Sequence, residues 1–161
     1  MSSENRMIPP DRLTDWRNQL RRDGKKLVVT NGCFDLLHVG HVTYLEAARS
    51  LGDALLIGIN GDGSVQQLKG PGRPLNGESD RARVLAALAC VDGVCIFPEK
   101  RATRFLEEAR PDVYVKGGDY TLETMDQDER RAVESAGGRV QFLPFVAGKS
   151  TTALVERMLQ S

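Results

Sequence analysis

The sequence lacks any excess of charge of one sign, because its 22 Lys and Arg residues balance its 22 Asp and Glu residues. A balanced chain offers no overall attraction to nucleic acid, which argues against that class of partner. Long apolar runs are also missing, so the sequence predicts no segment that crosses a membrane. Residues 1–10 are polar and contain two prolines, and without an apolar stretch they predict no signal peptide.

Cysteine and histidine are scarce, with three and two residues in the chain. Cys33, Cys90 and Cys95 are odd in number and match no disulfide or metal spacing. The sequence therefore predicts a reducing, cytoplasmic compartment. Both histidines lie in one short segment, as His38 and His41, and this concentration of imidazoles indicates a functional site.

Short apolar runs alternate with longer amphipathic segments along the 161 residues, which predicts strands separated by helices. Strands this apolar are typical of a parallel sheet that helices cover on both faces. The sequence therefore predicts an α/β fold, namely a single Rossmann-like doubly wound domain with a five-stranded parallel sheet over residues 25–161. An N-terminal segment and helix precede it over residues 1–24. The predicted strands are 27–32, 54–60, 92–97, 112–116 and 139–144, and the predicted helices are 11–22, 41–51, 78–89, 101–109, 123–136 and 151–160.

The loop after the first predicted strand has the features of a phosphate site. Ligands of such sheets bind beyond the carboxyl ends of the strands. Gly32 and Gly40 let the backbone approach a ligand closely, and the following helix presents unpaired N–H groups and its positive dipole end. Because His38 and His41 lie one helical turn apart, we expect both to donate hydrogen bonds to one phosphate group.

A zinc site is the alternative interpretation of the two histidines. Together with Cys33 or Asp35 they would supply ligands of the usual types. Helical zinc motifs, however, place their histidines at i and i+4 and take a further ligand from elsewhere in the chain. The i, i+3 spacing favours phosphate binding, and we expect no metal site formed by the protein.

A second phosphate-binding segment is predicted at residues 148–152, directly before the last predicted helix. N-capping accounts for one hydroxyl at such a position. Three hydroxyl residues in a row, preceded by Gly148 and Lys149, exceed what capping needs. They indicate a binding site for pyrophosphate at a helix N-terminus. The segment is not a P-loop, because Leu143 occupies the place of the first glycine of that motif.

Two further loops carry cations or open backbone. Lys69 and Arg73 lie in a loop rich in Gly and Pro, and Arg81 begins the next predicted helix, where a cation opposes the helix dipole. This placement indicates an anionic partner. After the fourth predicted strand, Gly117 offers open backbone and Asp119 a carboxylate that can accept a hydrogen bond from the exocyclic amine of a base.

These motifs carry a resemblance. Residues 31–41 resemble the H-x-G-H signature of the cytidylyltransferase-like nucleotidyltransferase superfamily, and residues 148–152 resemble its G-x-S-T-T signature. Lys69-Gly70, Arg73-Pro74 and the run 115–120 are most similar to the D-glycero-β-D-manno-heptose 1-phosphate adenylyltransferase family in its stand-alone form. The likeness covers roughly residues 25–160.

The resemblance implies an enzyme that joins ATP to D-glycero-β-D-manno-heptose 1-phosphate, giving ADP-heptose and pyrophosphate for lipopolysaccharide core biosynthesis in a bacterial cytoplasm. His38 and His41 would be catalytic, and Mg²⁺ would enter with ATP, held by phosphate and water. The implied nucleotide-binding residues are Gly32, Cys33, Phe34, Gly40, Arg81, Gly117, Asp119, Gly148, Lys149, Ser150, Thr151 and Thr152, and the implied substrate-binding residues are Asp35, Lys69 and Arg73.

The implied partners are ATP, the sugar 1-phosphate, and a kinase and a phosphatase on separate chains. A homodimer is compatible with the resemblance, since members of the superfamily commonly dimerise. Two alternative functions stay open at this point. One is a cytidylyltransferase acting on glycerol 3-phosphate or a similar small phosphate, and the other is a nucleotide-binding module without turnover.

Overall fold

A five-stranded sheet forms the centre of the molecule. The computed structural model describes residues 2–160. All neighbouring strands are parallel, and their order is β3-β2-β1-β4-β5. This confirms the predicted α/β fold with a five-stranded parallel sheet. The strands are β1 (Leu27–Gly32), β2 (Ala54–Asn60), β3 (Gly93–Phe97), β4 (Val113–Gly117) and β5 (Arg139–Leu143).

Seven α-helices connect or flank these strands in the part of the chain from residue 2 to residue 160. Short 3₁₀ turns at Ser3–Arg6 and Pro10–Arg12 precede the first of them. None of the helices in this range is long and apolar enough to cross a membrane. The helices are α1 (Leu13–Arg22), α2 (Val39–Arg49), α3 (Asp62–Lys69), α4 (Glu78–Ala86), α5 (Thr103–Ala109), α6 (Gln127–Ser135) and α7 (Thr151–Leu159).

Helix α3 is the element that the sequence pattern did not predict, since the pattern of residues 60–73 indicates a loop. Its buried residues are Ser64 and Val65, so it has no apolar stripe at helical spacing. Glycines at 61 and 63 further weaken the helical signal. Helix α3 begins directly after Gly61, which follows the last residue of β2. Its formation therefore depends on where β2 ends in the folded sheet, which the local sequence does not show.

Both faces of the sheet are buried, which explains why β1 and β2 are nearly continuous apolar runs. On one face Val29 and Tyr114 pack with side chains from α1, α5 and α6. On the other face Val28 and Val115 pack with side chains from α2 and α4. Alternate residues of each strand therefore belong to different cores, and this alternation decides which side of the sheet each loop residue approaches.

The segment before β1 is part of the same packed unit. Met7 forms a parallel bridge to Val94, and Ile8 donates its backbone N–H to the Val94 carbonyl at 2.8 Å. Arg17 is buried and donates from Nη2 to Asp112 at 3.0 Å. The N-terminal helix α1 thus covers the edge of one core.

The strand order reverses between β1 and β4. From β1 the chain moves outward to β2 and β3, and it then crosses back to place β4 on the other side of β1. In doubly wound sheets the crevice at such a reversal, beyond the carboxyl ends of the strands, is where ligands bind. Here it lies between the loop that follows Gly32 and the loop that follows Gly117.

Candidate active site

A cleft of about 590 Å³ opens at this reversal point. It combines backbone and side chains from the loops after β1, β2, β4 and β5 with the first turns of α2 and α7. Its lining is Asn31, Gly32, Cys33, Phe34, Asp35, His38, Gly40, His41, Tyr44, Leu68, Lys69, Arg73, Val115, Lys116, Gly117, Tyr120, Phe145, Val146, Lys149, Ser150, Thr151 and Thr152. A smaller cavity of about 390 Å³ lies beside β3 and α5. It contains neither histidine and neither of the two signature segments.

His38 and His41 form an interlocked pair at the start of α2. His38 is the N-cap, and its Nδ1 accepts the backbone N–H of Gly40 at 3.1 Å. His41 returns the contact, because its Nδ1 accepts the backbone N–H of His38 at 3.3 Å. With both Nδ1 atoms acting as acceptors, each neutral ring carries its proton on Nε2. The imidazole centroids lie 3.9 Å apart, and both rings line the cleft.

The local environment keeps both imidazoles neutral near pH 7. Burial, together with the charge of His38, lowers the pKa of His41 to about 4. Burial and the nearby Lys149 lower the pKa of His38 as well. Neutral rings with fixed Nε2–H groups are hydrogen-bond donors rather than general bases. The geometry is that of a paired donor for one anionic group.

Gly40 is required because the chain leaves no room for a side chain there. A Cβ atom at this position would lie 2.8 Å from Cε1 of His38 and 3.1 Å from Cβ of Lys149. The ring of Phe34 supports the pair from the other side, with its centroid 5.3 Å from that of His41. Phe34 itself has a φ of 48°, an unusual value for a residue other than glycine, and its ring is buried.

Asp35 is the centre of a buried ion pair and shapes the wall of the cleft. Its carboxylate accepts hydrogen bonds from Arg73 Nε at 2.7 Å and from the backbone N–H groups of Leu75 at 2.8 Å and Asn76 at 2.9 Å. Burial alone would raise the pKa of this carboxyl group, but the hydrogen bonds from Asn76, Leu75 and Arg73 hold it below its usual value. Asp35 thus holds the loop that contains Arg73, and the expectation that it contacts the substrate stays a prediction.

Arg81 corrects one expectation, that of a direct nucleotide contact. Its side chain is fully buried behind the cleft and does not line it. Nη1 donates to the carbonyl groups of Cys33 at 2.7 Å and Asn60 at 2.9 Å, Nε donates to that of Asn76, and Nη2 pairs with Asp62. Arg81 therefore ties together the ends of β1 and β2 and the loop before α4. The anionic partner expected for a cation in the first turn of a helix is, in part, a group of the protein itself, the Asp62 carboxylate.

The second signature segment reaches the cleft through α7. Ser150 is the N-cap of this helix, and its Oγ accepts the backbone N–H of Ala153 at 3.0 Å. The hydroxyl of Thr151 donates to the Leu36 carbonyl at 3.1 Å, which joins the two signature segments. The N-terminal ends of α2 and α7 thus converge on one space, as phosphate binding by helix N-termini requires.

The structure brings most of the sequence-predicted residues together, although Gly148 and Asp119 do not line the cleft in this arrangement. Gly148 adopts a φ of 74° in the turn before Lys149, where it allows the chain to enter α7. Asp119 is exposed beside Gly118. The predicted residues that do line the cleft are Gly32, Cys33, Phe34, Asp35, His38, Gly40, His41, Lys69, Arg73, Gly117, Lys149, Ser150, Thr151 and Thr152.

Sequence reasoning missed several cleft residues, of which Lys116 and Asn31 carry polar groups. Lys116 forms an ion pair with the buried Glu129 at 3.7 Å, and its Nζ lies 4.9 Å from the centroid of the Tyr120 ring. Burial raises the pKa of Glu129, although Lys116 acts to lower it. The signal that would have found these residues is their position, since each lies at the carboxyl end of a central strand. Phe145 also covers the cleft, packed against Gly117 and Gly118 so closely that a Cβ atom at either would clash with its ring.

Comparison with known proteins places this cleft in a family. The profile of the Cytidylyltransferase-like family matches residues 29–157, which include both signature segments. The chain belongs to the cytidylyltransferase-like family. This confirms the superfamily indicated by the H-x-G-H and G-x-S-T-T segments, and it makes the protein a nucleotidyltransferase.

The chain is also similar to curated bacterial proteins. It is 55% identical over 139 residues to the bifunctional protein HldE of Syntrophotalea carbinolica, covering 86% of this chain and 28% of that one. It is 58% identical over 135 residues to the bifunctional protein HldE of Geotalea uraniireducens, covering 84% of this chain and 27% of that one. The chain therefore spans little more than a quarter of the length of these relatives.

One solved structure extends the comparison to three dimensions. The lipopolysaccharide core biosynthesis protein from Thermoplasma volcanium superposes with a TM-score of 0.62 and 26% sequence identity. The match covers 76% of this chain and 98% of that one. The sheet and its covering helices are thus shared with a protein of related sequence.

Proposed function

We propose that the chain is an adenylyltransferase that joins ATP to D-glycero-β-D-manno-heptose 1-phosphate, forming ADP-heptose and pyrophosphate for lipopolysaccharide core biosynthesis. The observation that carries the proposal is the presence of two separate sets of donors in one cleft. One set comprises His38, His41 and the N-terminal ends of α2 and α7. The other comprises the side chains of Lys69, Arg73 and Lys116. Two sets suit two anionic substrates better than a single triphosphate.

The histidine pair is suited to the α-phosphate of ATP, and the α7 segment to the β- and γ-phosphates. The Nε2–H groups of His38 and His41 would reach one phosphate, assisted by the backbone of Cys33 and Phe34. Lys149 would neutralise the outer phosphates. The predicted contacts of Gly32, Gly40, Gly148, Ser150, Thr151 and Thr152 with the phosphates, and of Gly117 and Asp119 with adenine, are part of this proposal.

The reaction needs alignment and charge stabilisation rather than a strong base. An anionic oxygen of the sugar phosphate attacks the α-phosphorus, the bond from that phosphorus to the bridging oxygen breaks, and pyrophosphate leaves with its electron pair. Lys69 and Arg73 would hold the attacking phosphate against the repulsion of ATP. The two histidine donors would stabilise the charge that grows on the α-phosphoryl oxygens, a contribution of about 10²–10³ in rate for each donor.

Magnesium enters this proposal as part of the ATP substrate, where it neutralises phosphate charge. Asp35 is the one acid among the described residues that line the cleft, and Arg73 and two backbone N–H groups already occupy its carboxylate. Among residues 2–160 no three His, Cys, Asp or Glu side chains are grouped so as to hold a metal ion. We therefore expect phosphate and water, rather than the protein, to coordinate the Mg²⁺ ion.

The choice of a heptose phosphate is supported by the similarities of sequence. The relatives named bifunctional protein HldE share more than half of their residues with this chain in the matched region, and the solved structure is named for lipopolysaccharide core biosynthesis. A sugar 1-phosphate requires a kinase to supply it, and the proposal includes a kinase and a phosphatase acting before this enzyme.

Pyrophosphate release tests the proposal directly. We expect turnover with ATP and the β-anomer of heptose 1-phosphate, and at least tenfold lower kcat/KM with the α-anomer, with glycerol 3-phosphate, or with CTP in place of ATP, about 1.4 kcal/mol or more of discrimination. Turnover with CTP and glycerol 3-phosphate instead would assign the chain to another reaction of the same class. Binding of nucleotide without pyrophosphate release from any acceptor would indicate a module without turnover.

A further inference from the structure

Asn31 presents a fixed set of hydrogen-bond donors to the cleft, although neither signature segment assigns it a role. It lies at the carboxyl end of β1, and its Oδ1 is 2.5 Å from the hydroxyl of Tyr114 on β4. A separation this short lies at the lower limit of the range for O–H···O hydrogen bonds and below the range for N–H···O bonds. The hydroxyl of Tyr114 is thus the donor, and the carboxamide oxygen of Asn31 is the acceptor.

Tyr114 is well suited to hold the carboxamide in one orientation. The residue is completely buried, and burial raises the pKa of its phenol well above the usual value, so the hydroxyl keeps its proton. With Oδ1 bound to Tyr114, the Nδ2 group of Asn31 faces the other way. Among residues 2–160 the one buried side-chain nitrogen or oxygen without a partner is Arg17 Nη1, so the unpaired Nδ2 of Asn31 is accessible from the cleft it lines.

Lys116 extends this donor surface. Val29 pairs with Tyr114 in the sheet, so Asn31 and Lys116, two residues further along each strand, lie side by side on the same face. Nζ of Lys116 is 5.8 Å from the centroid of the Tyr114 ring. The corner formed by Asn31 and Lys116 therefore offers N–H donors to the cleft, while the Asn31 oxygen is already bonded to Tyr114.

This corner and the histidine pair line one cleft, but the strand residues beneath them belong to opposite faces of the sheet. Val29 and Tyr114 belong to the core beneath α5 and α6, whereas α2, which carries His41, packs on the opposite face. A group bound at Asn31 therefore approaches the carboxyl edge of the sheet from the side opposite to the phosphate donors of α2. In an in-line displacement the acceptor approaches opposite to the leaving pyrophosphate. The proposed pyrophosphate seat at Lys149 lies against Gly40 of α2, so Asn31 lies on the acceptor side.

We infer that Asn31 determines specificity for the second substrate by donating from Nδ2 to an oxygen of the sugar phosphate, and that Tyr114 is the positioning residue that keeps this donor pointed at the cleft. The inference rests on the proposed function, since it assigns the acceptor side of the same site. The Asn31 amide donates to the ligand. A ligand group that has no acceptor atom is therefore disfavoured at this position.

Steady-state kinetics of pyrophosphate release, with ATP and sugar phosphate varied separately, test the inference. Asn31→Asp keeps the shape but replaces the donors by an anionic oxygen. It should raise KM for the sugar phosphate about tenfold or more, the effect of losing a hydrogen bond to a charged group, and leave KM for ATP within about twofold. Asn31→Ala should raise the same KM by a smaller factor.

A double-mutant cycle tests the positioning role of Tyr114. Tyr114→Phe should raise KM for the sugar phosphate several-fold in the wild-type background, about 2- to 10-fold, and should have no further effect on it in the Asn31→Ala background. Thr30→Val is the matched control, because it too removes a buried hydroxyl, one bonded to the Val115 carbonyl of β4 at 3.0 Å and to the Tyr44 hydroxyl at 2.8 Å on the other face of the sheet. The control should lower stability without changing KM for the sugar phosphate.

The outcomes separate this inference from the proposed function. If no sugar phosphate supports pyrophosphate release by the wild-type protein, both the proposed function and the inference are overturned. An active wild type whose Asn31→Asp variant keeps the sugar phosphate KM overturns the inference alone. So does a variant that raises KM for ATP as much as KM for the sugar phosphate, since Asn31 would then face the nucleotide.

Discussion

The two signature segments of this protein differ in how firmly the fold holds them. The first, residues 31–41, is built on β1 and buries Phe34, Asp35 and Gly40. Its shape is held by the Asp35–Arg73 ion pair, by Arg81 from behind and by the reciprocal capping of the two histidines. The second, residues 148–152, begins within a stretch, residues 144–151, that is exposed over most of its length. This stretch leads into α7, which has no buried residue in the part that is described.

The second segment is joined to the rest of the molecule by little hydrogen bonding. Among residues 2–160, the hydrogen bond from the Thr151 hydroxyl to the Leu36 carbonyl is the one that links residues 144–151 to another part of the chain. The difference indicates that the two segments have different roles. The first segment presents donors in a preformed geometry, as stabilisation of a transition state requires. The second would be able to adjust to the outer phosphates, which leave as pyrophosphate.

The largest expected effect comes from removing the preformed donors. His41→Ala and His38→Ala should each reduce kcat by about 10²–10³, the usual cost of losing one preorganised donor. Pyrophosphate release measures the loss, and unchanged circular dichroism would show that the fold is intact. In each case the substitution to Gln should recover part of the activity, because its amide N–H can replace Nε2–H. Near-normal turnover of both Ala variants with every sugar phosphate would refute the catalytic assignment.

A substitution at Gly40 should lower activity only by moving the histidine donors. In Gly40→Ala the new methyl group would lie 2.8 Å from Cε1 of His38 and force that imidazole to move. We expect kcat to fall by up to about 10²-fold, as misplacement of a catalytic group by about 1 Å can cause. Gly63→Ala on α3 is the matched control, because a methyl group there would meet no atom within 4 Å. Equal activity of the two variants would argue against the tight packing of His38.

The buried setting of His41 also predicts a dependence of stability on pH. Its pKa is about 4 in the folded chain, against 6.5 for an ordinary histidine. Between these values the unfolded chain binds more protons, so the free energy of unfolding should fall as the pH drops from 6.5 towards 4. Urea unfolding of the wild type and of His41→Asn at several pH values measures this. The variant should lose less stability over the same range, and parallel curves would contradict the prediction.

The smallest effect is expected in the second segment. Thr151→Ala removes the hydroxyl that bridges to Leu36, and it should weaken ATP binding about 2- to 10-fold, the usual range for a single neutral hydrogen bond. AMP is the control ligand, because it lacks the outer phosphates that this segment is proposed to hold. Calorimetric titration of both nucleotides decides the matter. Equal losses for ATP and AMP would move the segment away from the β- and γ-phosphates.

Much of the fold could be predicted because its signals are local. The apolar runs and the Gly and Asn residues that end them located β1 and β2 at their observed bounds and the other strands to within one residue at either end. Helix α3 escaped prediction because it buries too little apolar surface to leave a periodic pattern. The two signature segments were recognisable because their residue types and spacing are what binding of phosphate at a helix N-terminus demands.

The direction of individual side chains could not be predicted in the same way. Arg81 looked like a phosphate ligand from its place in a helix, but the fold turns it inward onto three carbonyl groups and the carboxylate of Asp62. Asp35 looked available to a substrate, but Arg73, 38 residues away, occupies it in the folded chain. Nothing in the local sequence distinguishes a charge that faces ligand from one that faces protein.

The sequence by itself determined the fold class, the family and the two segments that approach the phosphates, because apolar periodicity and short motifs are properties of neighbouring residues. Only the tertiary structure decided which polar groups are free to act. The hydroxyl of Tyr114 meets Asn31 across 83 residues, and only the pairing of β4 beside β1 brings them together. A side chain's hydrogen-bonding capacity is limited, so its function depends on which groups the fold has already placed against it.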